Sequence, residues 1–361
     1  MTETRSIFMP ERRNPYYIVT ARYTRTSAGI KALHFLCHAL NRMGEQAYLI
    51  VHPHFPPYLA ANPALNTPLL TKRIMDYHRT QGLTPITVYP ENIKGNPMQA
   101  PFVARYVLNY AGLLGGDVQF PETEYCFSYS AAIAATLPVS KQTLFIPASD
   151  PNFFVPPAPG AKRQGGCFYA GKYKNYHGGK TFAVTDGLVE IVRDRDGQQT
   201  PEQIRDLFQR SERFYCYENS ALAIEAMLCG CPVVFLPNKY FTELIGKGEH
   251  GTEGYVWGDD DAAGFKRAQE TVGLARERYL SLFKLAECVL ADFVTETQAL
   301  VQTIPYDTPM ADTYVEKITR LSRYSGFIKM IFLMVRERGL GYTTSLILAR
   351  LKTGRIRLSD A

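Results

Sequence analysis

The sequence holds a single tryptophan, no run of 18 apolar residues, no Cys-x-x-Cys pair, no internal repeat and no low-complexity tract. Without a long apolar run there is no segment suited to span a bilayer as a helix. The seven cysteines (Cys37, Cys126, Cys167, Cys216, Cys229, Cys231 and Cys288) are odd in number, and six lie in or beside apolar segments. Cys229 and Cys231 stand too close for a metal loop, and the expectation is reduced thiols in a reducing compartment. Residues 1–14 are polar and charged, unlike a signal peptide, so the expected location is cytoplasmic. Charge is also missing from most of the chain. The net +6 is concentrated in residues 320–361, which hold nine Lys/Arg and two Asp/Glu, while the other 319 residues sum to −1. A body without a basic stripe argues against a nucleic-acid partner.

What is present is the balance of a soluble globular protein: 361 residues, 46% hydrophobic and 20% charged, enough for two domains of ordinary size. Tyrosine and phenylalanine are plentiful, at 23 and 20. Most of these rings are expected in the core, although tyrosine-rich surfaces also suit carbohydrate or lipid headgroups. Short β-rich runs at 16–20, 46–52, 86–89, 125–129 and 143–146 alternate with helical patterns, one from Ile30 to Leu40 and one over 101–114 that stops at Gly115 and Gly116. Residues 147–166, rich in proline and glycine, read as a linker. A second set follows, with strands at 167–170, 188–192, 213–217 and 232–236. Its helices are expected at 200–211, with Thr200 as N-cap and Pro201 in the first turn, at 220–228 and at 261–302. Strands alternating with helices predict parallel sheets covered on both faces, hence two Rossmann-like halves with a cleft at the carboxyl ends of their strands. The expected layout is a first Rossmann-like domain at 1–155, a second at 156–305 and a helical tail at 306–361.

The densest chemistry lies at 213–254. Glu218 stands in a strand-to-helix turn, Asn219 and Ser220 open the helix, and Glu225 sits on it amid Ala, Leu, Ile and Met. Such a turn points free N–H groups and a positive helix end into the cleft, where a diphosphate is stabilised. The carboxylates suit sugar and ribose hydroxyls as bidentate acceptors. The plain structural alternatives are a solvent-facing helix residue for Glu225 and a helix-dipole charge for Glu218.

This segment resembles the donor-binding signature of the retaining family 4 glycosyltransferases: a Glu, a short interval, a second Glu-Ala, then small-Gly-x-Pro-Val-Val. The resemblance implies an α/β fold of the GT-B type, with two Rossmann-like domains facing a central cleft and a C-terminal helical basic tail. It implies acceptor binding for the first domain and nucleotide-sugar binding for the second. It implies that Glu218 contacts the transferred sugar and Glu225 the nucleotide ribose. The family usually leaves seven residues between these carboxylates, and here there are six. Gly171, Lys172, Tyr173 and Lys174 occupy the place of the family's Gly-Arg segment, so Lys172, with Lys174, would face the donor diphosphate as point charges. Ser27, Ala28, Gly29 and Ile30 are similar to the small glycine loop that touches the phosphate from the first domain. Glu243-Leu244-Ile245 is similar to the family's following Glu-Ile segment, without its paired glycines. Residues 90–109 resemble a subgroup that assembles bacterial surface polysaccharides of the O-antigen or capsule type. The implied reaction is transfer from a nucleotide-diphosphate sugar to a glycan or polyprenyl-linked acceptor with retention, needing no metal and no cofactor beyond the donor. A GT-B nucleotide-sugar epimerase and a non-catalytic glycan-binding or assembly module remain alternatives.

Other candidates read as structural. His34 and His38 are four apart on one helix, without a third ligand. Asp194-Arg195-Asp196 matches the Asp-x-Asp pattern of metal-dependent GT-A transferases but sits before Gly197 and a helix, as a turn. Residues 259–261, all Asp, suit a helix N-cap. His52, His54 and His177 are candidates for the acceptor side of the cleft or for ordinary loop positions. In the tail, Ile328, Ile331, Phe332 and Val335 follow helical spacing beside Lys329, Arg336 and Arg338. The expectation there is packing on the first domain or an anionic membrane surface, which would make the protein peripheral on the inner face of the cytoplasmic membrane.

Overall fold

The computed structural model describes residues 12–193, 198–306, 308–312, 314, 315, 331 and 335. The tail at 316–361, apart from residues 331 and 335, and the Asp194-Arg195-Asp196 segment lie outside the described residues. The first unit runs β1 (Tyr16–Thr20), α1 (Ala28–Arg42), β2 (Ala47–Val51), α2 (Pro57–Ala60), α3 (Lys72–Thr80), β3 (Ile86–Pro90), β4 (Phe102–Val107), β5 (Tyr125–Ser128), α4 (Ala131–Ala134) and β6 (Ser140–Thr143). Its six strands are all parallel, in the order β2-β1-β3-β4-β5-β6, with Tyr16 opposite Ala47 on one side and Ile86 on the other. The second unit runs β7 (Gly166–Tyr169), α5 (Gly171–Asn175), β8 (Val189–Glu190), α6 (Pro201–Arg210), β9 (Arg213–Cys216), α7 (Ala221–Leu228), β10 (Val233–Phe235), α8 (Lys247–His250), β11 (Tyr255–Trp257) and α9 (Ala262–Val301). Its five strands are again parallel, ordered β11-β10-β9-β7-β8. The expected class, two Rossmann-like α/β domains, is what the chain forms.

The local causes are visible in the sequence. Ser27 caps α1 by accepting the Ile30 N–H, and Ala32, Leu33, Leu36, Cys37 and Leu40 bury one stripe of that helix. Thr200 and Gln203 form a complete capping box on α6, with Pro201 in its first turn. Thr200→Ala is expected to cost about 1 kcal/mol, the usual worth of an N-cap. A denaturant midpoint unchanged by the substitution would show the box to be idle.

Two expectations are corrected. Residues 101–114 are not a helix: β4 occupies Phe102–Val107, between β3 and β5, and all six of its residues are buried. A strand buried on both faces carries a continuous apolar run without alternation, which periodicity cannot separate from a helix. Gly115 and Gly116 serve turns at positive φ, not a helix stop. The last strand of this sheet ends at Thr143, so of 143–146 only the first residue pairs as expected. Neither β11 nor α3 is announced by a pattern in the sequence.

Arg105, in the middle of β4, is fully buried. Its Nε and one terminal nitrogen meet both carboxylate oxygens of Glu124 at 2.8 and 2.9 Å, and the carbonyls of Ile93 and Gly95 accept at 2.8 Å each. It thereby pins the segments that follow β3 and precede β5, which reach the cleft.

The 40-residue α9 is about 60 Å long at 1.5 Å per residue. Asp261 is its N-cap, as expected. Its first half places Ala275, Tyr279 and Leu282 in the core of the second unit. Its second half places Leu290, Phe293, Val294 and Val301 in the core of the first, where the Phe293 ring meets Tyr16, Tyr125 and Phe127. No helix among the described residues is long and apolar enough to cross a membrane. The seven cysteines are all free, and only Cys288 is exposed.

Candidate functional site

The two sheets point their carboxyl ends at a shared cleft of about 1040 Å³. That is just above the usual range for small-molecule sites, about 300–1,000 Å³. The first unit contributes Thr26 to Ile30 at the start of α1, and the second contributes Lys172, Arg193 and the turn from Glu218 to Ala221. The domains also touch at the rims. Arg25 donates to the Gln199 carbonyl at 3.2 Å, the Tyr110 hydroxyl donates to Glu243, and the Ala131 N–H donates to Glu249 at 2.8 Å.

Glu218 follows β9 and is buried. One of its carboxylate oxygens accepts the backbone N–H groups of Lys172 and Tyr173 at 2.5 and 3.1 Å. The carboxylate thus sits on the first turn of α5. A Cβ at Gly171 would overlap the Tyr169 phenol, so a side chain there would force that ring to move. Burial raises the pKa of Glu218, and the two N–H groups and the Lys172 charge pull it partly back. Lys172 itself is exposed on the cleft wall, and its amine makes no ion pair with a described residue. Lys174 points elsewhere: its Nζ meets Glu190 at 2.6 Å.

Asn219 is a strut. Its amide nitrogen donates to the Glu243 carbonyl at 3.0 Å and its oxygen accepts from the Ile245 N–H at 3.1 Å. Ser220 caps α7, accepting from Leu222 at 3.3 Å. Gly29 lies in the first turn of α1 and lines the cleft. A Cβ there would meet Leu108 at an ordinary 3.7 Å, so nothing within the protein demands a glycine.

Glu225 is not on the cleft surface but just behind it, buried on α7. Its contacts among the described residues are long: Lys31 Nζ at 3.8 Å and the Ser149 hydroxyl at 3.5 Å. Lys31, on α1 of the first unit, also donates to the Ala148 carbonyl at 2.9 Å. Burial raises the Glu225 pKa and lowers that of Lys31, and each charge partly restores the other. The carboxylate therefore has acceptor capacity to spare.

Sequence reasoning missed Lys31 and Arg193. Lys31 belongs to a helix that reads as first-domain core, and Arg193 follows a two-residue strand. The one available signal for Arg193 was its place at the carboxyl end of a strand, where ligands of such sheets bind. His34, His38, His52, His177 and His250 have contacts within the protein. His34 is buried with Nε2 on the Ala21 carbonyl at 3.0 Å, and His38 Nδ1 accepts the Asn66 N–H at 2.8 Å. His52 lines the cleft against Tyr314, and His177 stacks on Tyr240 at 4.0 Å. His250, between Phe145 and Tyr279, is pushed by burial down to about 4 and is neutral at physiological pH.

Two parallel Rossmann-like sheets, a cleft between their carboxyl ends and a long last helix rooted in both cores define the architecture. The fold is GT-B. No family model and no curated protein matches the chain. Among solved structures it is similar to a glycosyltransferase from Rickettsia africae ESF-5, at 9% identity and a TM-score of 0.48 over 79% of this chain and 99% of that one. It is similar also to the glycosyltransferase SnogD from Streptomyces nogalater, at 14% identity and a TM-score of 0.42 over 80% and 99%. An α-glucosyltransferase solved with UDP and a 13-mer DNA gives 12% and 0.42 over 79% and 100%. All three are glycosyltransferases. The GT-B assignment rests on the strand orders, the cleft and α9, and not on these superpositions.

Proposed function

We propose that the chain is a glycosyltransferase that moves a sugar from a nucleotide-diphosphate sugar to a glycan or polyprenyl-linked acceptor in bacterial surface-polysaccharide assembly, with retention of configuration and without a metal. One observation carries this reading. The Glu218 carboxylate lies in the cleft, and the buried Glu225 carboxylate lies behind the cleft wall with unused acceptor capacity, 3.8 Å from Lys31 on α1 of the other domain. In this reading Glu218 contacts the transferred sugar and Glu225 takes the ribose hydroxyls. Lys172 and the first-turn N–H groups of α1 at Gly29 stabilise the charge that develops on the leaving diphosphate. Lys174, held by Glu190, contributes field from a distance, and Asn219 and Ser220 shape the turn. The chemistry of the site supports this reaction class, since fold alone does not give function.

The test is calorimetric titration of UDP, GDP, dTDP and CMP into the wild type and into Glu225→Ala, each shown to be folded by thermal melting. One nucleoside diphosphate is expected to bind at micromolar strength and to lose at least about tenfold in the variant, which is about 1.4 kcal/mol. A folded wild type that binds none of the four would remove the basis of the proposal.

A further inference from the structure

Among the described residues, Arg193 is the one cation with a buried side-chain nitrogen that has no hydrogen-bond partner. It follows β8, lines the cleft and is only 8% exposed. One terminal nitrogen donates to the Thr26 carbonyl of the first domain at 3.1 Å, and the guanidinium lies 5.1 Å over the Tyr169 ring of its own domain. Its Nε is buried and has no hydrogen-bond partner among the described residues. A guanidinium carries five donors. Leaving a charged donor buried without an acceptor is unfavourable, and a folded chain tolerates it mainly where an acceptor arrives from outside.

The surroundings select the acceptor. Thr26 leads directly into Ser27, the N-cap of α1, so the bond from Arg193 holds the positive end of a 15-residue helix next to the guanidinium. Lys31, Arg25, Lys172 and Arg193 face the two carboxylates of Glu218 and Glu225 here, while Glu190 on the same wall is matched by Lys174. Phosphate oxygens in pairs also suit the planar fork of arginine better than they suit lysine.

We propose that Arg193 is a direct ligand of the donor diphosphate, taking phosphate oxygens through its unpartnered Nε while its bond to Thr26 keeps the α1 N-terminus on the same anion. The identity of the anion rests on the glycosyltransferase reading, whereas the existence of an anion site does not. Because one guanidinium touches both domains, the diphosphate joins them when it binds.

The experiment titrates the full chain with inorganic pyrophosphate, with the nucleoside diphosphate that binds most tightly and with the matching nucleoside. It uses the wild type, Arg193→Gln and Arg193→Lys, each checked by thermal melting. Arg193→Gln is expected to weaken the diphosphate and pyrophosphate at least tenfold and to leave the nucleoside unchanged, with Arg193→Lys in between. Should Arg193→Gln fail to fold, a folded Arg193→Lys that binds both diphosphates within twofold of the wild type overturns the proposal. Equal weakening of diphosphate and nucleoside also overturns it, because that pattern marks a purely positional role. A wild type that binds pyrophosphate through Arg193 but no nucleotide supports the anion site and defeats the glycosyltransferase reading instead. A folded wild type that binds neither defeats both.

Discussion

Glu218→Gln is expected to lower sugar transfer by about 10²- to 10³-fold at saturating donor, the scale of one electrostatic contact made to a developing charge. The substitution keeps shape and leaves an amide oxygen to accept the Lys172 and Tyr173 N–H groups, but it removes the negative charge nearest the sugar in the proposed geometry. Initial rates of nucleoside diphosphate release, measured across pH, provide the check. Burial raises the Glu218 pKa, so as pH falls the carboxylate takes its proton earlier than an ordinary glutamate would. The wild-type rate should therefore decline on an acid limb lying above the usual carboxylate range, and Glu218→Gln should lack that limb. A near-normal rate in the variant, or an acid limb that survives it, would refute the assignment. Stability carries the opposite sign. A carboxylate with a raised folded pKa holds a proton that the unfolded chain has already released, so its contribution to stability falls as pH rises through that window. Glu218→Gln should accordingly melt no lower than the wild type at neutral pH.

Lys31→Met is expected to destabilise the fold by about 3–5 kcal/mol, because it strands Glu225 as a buried, unpaired charge. Both side chains are buried, at 6% and 8% side-chain exposure, and they come from different domains. The double variant Lys31→Met, Glu225→Leu should recover most of the loss, apart from the bond to the Ala148 carbonyl, which is worth about 1 kcal/mol. It should nevertheless bind the nucleoside diphosphate at least about tenfold more weakly than the wild type. Denaturant unfolding of the four members of the cycle separates the two contributions. Recovery of stability together with nucleotide affinity would show Glu225 to be a structural partner of Lys31 and nothing more.

What can be seen in the sequence follows from chain-local physics. Thr200, Pro201 and Gln203 announce α6, Ser220 and the run after it announce α7, and the apolar runs from Tyr16 and Gln46 announce adjacent parallel strands. The interval 101–114 misleads because its apolar run is buried on both faces, with the one charge inside β4, Arg105, met by Glu124. In the candidate site, the turn from Glu218 to Glu225 is legible as one contiguous segment. Lys31 and Arg193 are not, since their partners Glu225 and Thr26 belong to the opposite domain and meet them only when the two domains face each other.

The last helix has a consequence for how the molecule comes apart. A chain cut in the linker before β7 would leave the first sheet without Leu290, Phe293, Val294 and Val301, four side chains from the far end of the sequence that fill its interior. Each is worth about 1.5–3 kcal/mol when buried, against a typical total near 5–15 kcal/mol for a domain. The N-terminal half is thus expected not to fold by itself. Emerging first during synthesis, it would wait with an open hydrophobic face until α9 arrived, and heating the finished protein should melt both sheets in one cooperative transition.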